Sequence, residues 1–122
     1  MRIETLKKKL HAEFNFEETL ENLDQLPETG TLLFTPSYKE KQRLWIIKAY
    51  NEWVKGNKTI VLVAPLKLSC RYFKKYVSDV AEIRPVKEFL TYNNNHRVTK
   101  PMMVAIYSRI TTDQPNFTVS FS

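Results

Sequence analysis

The residues of this 122-residue chain whose types and spacing offer the most chemistry are Thr35-Pro36-Ser37-Tyr38. Within four positions they place a side-chain oxygen that can accept a hydrogen bond, a ring-locked turn and an aromatic face. In an open α/β sheet, functional groups gather just past the carboxyl ends of the strands, and these four residues stand at the first such point. Local physics offers a second reading, because proline and serine after a strand also make a turn and cap the next helix. A further set interleaves charge with rings: Lys67, Arg71-Tyr72 and Lys74-Lys75-Tyr76. Cationic grooves with ring platforms hold single strands of nucleic acid. At helical spacing, however, Tyr72 and Tyr76 share a buried face with the cations outside, which is also the pattern of a solvated basic helix.

Other constellations offer less. His11 and His96 stand far apart with no cysteine pair, so no metal site is expected. Cys70 sits beside Arg71 without a histidine partner and reads as a half-buried small apolar residue. A lone cysteine cannot form an internal disulfide, which suits a reducing, cytoplasmic compartment. Trp45 and Trp53 are eight apart on one expected helix; Trp53 reads as core and Trp45 as a candidate interface residue.

The elements that must position these residues follow from periodicity. Ile3, Leu6 and Leu10, then Phe16, Leu20, Leu23 and Leu26, recur at spacings of three and four, predicting one interrupted or two short amphipathic helices before Pro27 and Gly30. Residues 31–34 form a short apolar run of strand length, ending at Pro36. Residues 39–55 read as a helix with Ile46, Ile47, Tyr50, Trp53 and Val54 on one side, a Ser37/Glu40 capping box and a Gly56 cap. The β-branched run Thr59 to Val63 predicts a strand covered on both faces. A basic helical segment carries Leu68, Tyr72, Phe73, Tyr76, Val77 and Val80, and a weaker strand follows within 82–92, where Pro85 implies an edge or a bulge. Asn93 to His96 is a polar loop, and strands are expected over 102–110 and 117–121.

The expected fold is thus α/β, a doubly wound, mostly parallel sheet with flanking helices and a C-terminal hairpin. It forms a single domain over 1–122. Within it, an acidic helical segment over 1–30 precedes a basic α/β body over 31–122. Residues 1–30 hold four basic and seven acidic side chains, while residues 31–122 hold fifteen and six, so the net charge of +6 conceals a body at +9. Such a field attracts nucleic acid or an acidic protein surface. It also serves solubility alone. No apolar run reaches the roughly 20 residues of a membrane span, and no membrane partner is expected.

The order of these elements, with residues 35–38 at the end of the first strand of the body, resembles the phage-type DNA N6-adenine methyltransferase family. The likeness covers about residues 31–107. It runs from a degenerate D/N-P-P-Y/F/W loop at Thr35 to Tyr38, through Lys48-Ala49-Tyr50, the Ile60 to Ala64 strand with Pro65, Arg71-Tyr72-Phe73 and Ala81 to Arg84, to the strand ending at Tyr107. In that family the loop holds a flipped-out adenine, and by position Thr35, Pro36 and Tyr38 would take the amino group and stack on the base. Two departures stand out. Thr35 replaces a carboxylate or amide oxygen, and Ser37 replaces the second proline. The family's donor, S-adenosylmethionine, needs a glycine-rich turn, whereas this chain has two glycines in all. The likeness further implies a truncated Rossmann-like sheet, a viral or prophage source, and nucleic-acid contacts in the loop carrying Asn94, His96, Arg97 and Lys100.

The function expected is therefore that of a catalytically inactive, methyltransferase-like binding protein without a cofactor, acting in the cytoplasm of a host if viral. Its nucleic-acid contacts would be Tyr38, Lys39, Lys67, Arg71, Lys74, Lys75, Asn94, His96, Arg97 and Lys100, with DNA favoured over RNA. An acidic protein surface is the other candidate partner, and a homodimer is expected from an uncovered sheet edge. Two alternatives stay open. One is a methyltransferase subunit whose donor site needs a second chain; the other is an inhibitor of a host defence enzyme, with Tyr38 and Trp45 as anchors.

Overall fold

A computed structural model describes residues 1–14, 16, 18–20, 30–36, 42–56, 58–66, 71–92 and 95–108. The elements are α1 (Ile3–Glu13), β1 (Glu18–Leu20), β2 (Gly30–Phe34), α2 (Gln42–Val54), β3 (Lys58–Pro65), α3 (Arg71–Phe73), β4 (Glu82–Val86) and β5 (Met102–Tyr107). Helix α3 runs on into a π-helical stretch, Lys74–Ser78.

The strands form one five-stranded sheet in the order β1-β2-β3-β5-β4. Pairs β1–β2 and β2–β3 are parallel, while β5 runs against both β3 and β4. The expected mostly parallel sheet is therefore corrected to a mixed one. The reversal has a plain cause: β2 and β3 are joined through a helix, which returns the chain to the same end, whereas β4 turns directly through residues 87–101 into β5.

Alternation along the strands feeds two cores. Leu32, Phe34, Ile60, Leu62, Met103, Ala105 and Tyr107 face α2 and α3, meeting Trp45, Ile46, Ala49, Phe73 and Val77. Leu33, Val61, Val63, Val104 and Ile106 face α1, meeting Ile3, Leu6 and Leu10. Each fully buried aliphatic side chain contributes roughly 1.5–3 kcal/mol. Helices thus cover both sheet faces.

Several local expectations meet the structure directly. Gly56 takes a φ of 89° just past α2, where its amide donates to the Trp53 carbonyl, the left-handed conformation for which a side chain is unfavourable. Strand β3 is covered on both faces. Pro85 lies in β4, the last strand of the sheet among the described residues, a position in which a proline is tolerated.

Others are corrected. Leu20 lies in β1 and not in a second helix, because pairing with β2 fixes residues 18–20 as extended. The buried face of α2 is turned by about one position: Trp45 is 1% exposed in the core and Val54 is 51% exposed. Trp45 is therefore no surface anchor, since its ring packs edge-on against Phe34 at 5.3 Å, while Trp53 is only partly buried. The expected strand over 117–121, the Ser37/Glu40 capping box, Leu23, Leu26, Leu68 and Cys70 lie outside the described residues.

Candidate nucleic-acid interface

The carboxyl ends of β1, β2, β3 and β4 all point to one edge of the sheet, because β5, the only reversed strand among the described residues, begins there at Met102 opposite both Pro65 and Val86. Thr35 and Pro36 follow β2 directly onto this edge and are buried. Thr35 is 5% exposed, and its Oγ1 has no hydrogen-bond partner among the described residues. A buried hydroxyl left unpartnered costs about 1–3 kcal/mol, so such a group calls for an explanation.

The next two elements leave the same edge. Helix α2 brings Arg43 there and α3 brings Arg71, both exposed. The Arg43 guanidinium lies 5.5 Å from the centre of the Tyr72 ring, tying the two helix starts together. Arg43 was not singled out in the sequence, because its partner is 29 residues away and no local pattern marks the pair. Lys74 and Lys75 continue the basic face, with the Lys75 ammonium 5.1 Å from the Tyr76 ring. Phe73 and Val77 are buried and Tyr72 and Tyr76 are partly covered, as the helical spacing predicts.

The π-helical stretch has a structural use. The Asp79 amide reaches back to the Lys74 carbonyl, and both Val80 and Ala81 bond to Val77. The Tyr76 carbonyl accepts instead from the buried Tyr107 hydroxyl at 2.6 Å. Burial drives the Tyr107 phenol well above its ordinary pKa.

His96, Arg97 and Lys100 are exposed in the segment between β4 and β5, at the same edge. They reach it on the α1 side, since Leu90 and Tyr92 belong to the α1 core. The structure therefore brings Arg71, on the α2 side, and His96, Arg97 and Lys100, on the α1 side, to this edge, whereas Lys74 and Lys75 follow the helix toward the opposite edge, beside Tyr76 and its bond to Tyr107. Ser37, Tyr38, Lys39, Lys67 and Asn94 lie outside the described residues.

The two glycines lie away from this edge. Gly30 opens β2 with a φ of 105° and pairs with Lys58, the first residue of β3, and Gly56 precedes that same residue by two. Both occupy the amino edge, opposite the end where a ligand-binding strand-to-helix turn belongs. With only two in the sequence, none remains for a glycine-rich turn elsewhere. Among the described residues, no group of three or more His, Cys, Asp or Glu side chains is placed to hold a metal ion, and no helix is long and apolar enough to cross a membrane. No protein-family model, curated protein or solved structure matches the chain.

Proposed function

We propose that the protein binds a nucleic-acid strand, DNA in preference to RNA, at the carboxyl edge of its sheet, as a methyltransferase-like module that lacks a donor site of its own. The observation that carries this reading is the Thr35 hydroxyl, buried at the end of β2 without a partner among the described residues. A hydroxyl offers one donor and two acceptor positions, enough to take the amino group of an unstacked base. Exposed Arg43, Arg71, Arg97 and Lys100 surround that edge with positive charge. The position of Thr35 at a strand end before a helix, and the succession of elements through Tyr107, support the methyltransferase-like reading. The placement of both glycines supports the loss of methyl transfer.

Anisotropy titration of a labelled single-stranded DNA over a salt series tests the proposal. Affinity should fall with salt at a slope of about −0.7 for each phosphate contacted, and Thr35→Val should weaken binding about fivefold, the worth of one hydrogen bond. No binding at low salt would remove the proposal. Saturable heat on titration with S-adenosylmethionine would replace the inactive module with an enzyme.

A further inference from the structure

On the α1 side of the same edge lies an open groove of about 490 Å³ lined by Met1, Lys87, Glu88, Phe89, Thr91 and Arg97. Its volume falls in the range of small-ligand sites. Three stretches of chain build it, and the way they are tied together makes it stiff. Thr91 bridges in parallel to Arg2 and antiparallel to Arg97. The Ile3 amide donates to the Thr91 carbonyl, and the Thr91 amide donates to the Met1 carbonyl, both at 2.8 Å. The Val98 amide bonds to Leu90 at 2.8 Å and the Tyr92 amide to His96 at 2.9 Å, closing a small turn in which Asn95 takes a φ of 62°, a conformation asparagine tolerates better than most residues. Arg2 Nη1 reaches the Asn95 side-chain oxygen at 3.4 Å.

This frame holds up a planar surface. Phe89 is 42% exposed, which is unusual for a ring of its size, and the Arg97 guanidinium lies 5.2 Å from its centre. A guanidinium laid against a ring presents its other face to a further flat group, and nucleobases stack on arginine planes as they do on aromatic rings. Lys87 adds a second cation to the rim. Glu88, whose carboxylate lies 4.0 Å from the N-terminal ammonium of Met1, adds an acceptor that suits an exocyclic amino group.

We infer that this groove is a nucleotide subsite: the base stacks on the Phe89–Arg97 pair, its amino group faces Glu88, and the phosphate lies by Lys87. The inference rests on the reading of the protein as a nucleic-acid binder and extends it by a second, separate contact and a preference. Cytosine and adenine carry the amino group that Glu88 can accept, and thymine does not.

The test compares labelled dC12 and dT12 in anisotropy titrations with the wild-type protein, Phe89→Ala, Arg97→Lys and Glu88→Gln, each checked for an unchanged melting temperature. Phe89→Ala should weaken dC12 binding between about five- and 150-fold, the span of one base–aromatic stack. Arg97→Lys keeps the charge and loses the plane, so it should lose affinity with little change in salt slope. Glu88→Gln should erase the preference for dC12 over dT12. Wild-type binding with all three variants indistinguishable from it would overturn the subsite and leave the Thr35 edge standing; failure of the wild-type protein to bind either oligomer would overturn both.

Discussion

The two edges of the sheet are furnished in opposite ways. At the amino edge, two clusters of charged side chains are matched. Glu52, on the last turn of α2 with a side chain 4% exposed, takes hydrogen bonds from Lys58 and Lys55 and an ion pair from Lys48 at 3.1 Å. Burial alone would raise its pKa, but hydrogen bonds from Lys58, Lys55 and Lys48 outweigh that and hold its carboxyl down to about 2. Arg84 is likewise clasped by Glu82 and by Glu13 at the end of α1. At the carboxyl edge, a buried hydroxyl lacks a described partner and cations face solvent. A buried polar group without a partner is uncommon in a native fold, which makes Thr35 the group to test.

The largest effect should come from breaking the matched edge. Glu52→Ala would strand Lys58, whose side chain is 5% exposed, and removal of one partner from a buried pair costs about 3–5 kcal/mol. Urea denaturation would measure it. The same cluster sets a pH dependence. Because the folded Glu52 pKa lies below its model-compound value of 4.5, its contribution is present in full above pH 4.5 and fades as pH falls toward 2. The loss amounts to about 3 kcal/mol at 1.36 kcal/mol per unit, and Glu52→Gln should flatten that part of the stability curve.

Arg84→Met should cost less, about 2 kcal/mol, because Arg84 and Glu82 are only partly buried and Glu13 faces water. The methionine retains the packing against Phe14, over which the guanidinium lies at 6.0 Å, so a loss in denaturation midpoint reports the charges. Tyr107→Phe removes the donor to the Tyr76 carbonyl and should cost about 1–2 kcal/mol. Neither substitution should alter DNA affinity if the two edges serve separate purposes; a change in affinity would blur that division.

What could be read in advance follows the same line. Helix α2, its Gly56 cap and the doubly covered β3 were legible because propensity, capping and apolar runs act within a few residues. Pro85 marked an edge for the same reason. Strand β1 was not, since Phe16 and Leu20 satisfy helical spacing and only the neighbouring β2 makes residues 18–20 extended. Nor was the reversal of β5, whose direction depends on which gap in the sheet it enters. The strand end before Thr35 was legible, but the unpartnered hydroxyl is a property of the packed state. Arg43 on Tyr72, and the groove around Phe89, each join segments distant in sequence and leave no periodic trace.

Thr35→Val should produce the smallest change in stability and the most informative one. If the hydroxyl is held for a ligand, the free protein bears the cost of burying it, and replacement by a methyl group of similar shape removes that cost. The free protein should then gain about 1 kcal/mol, or a few degrees in melting temperature for a domain of this size. Binding of single-stranded DNA should weaken at the same time, so that one substitution moves stability and affinity in opposite directions. Thermal melts with and without oligomer read both in one experiment: the variant should melt higher alone and gain less from added DNA. A variant that melts lower alone would mean that the hydroxyl is already bonded within the fold, and the carboxyl edge would then resemble the amino edge in being complete without a ligand.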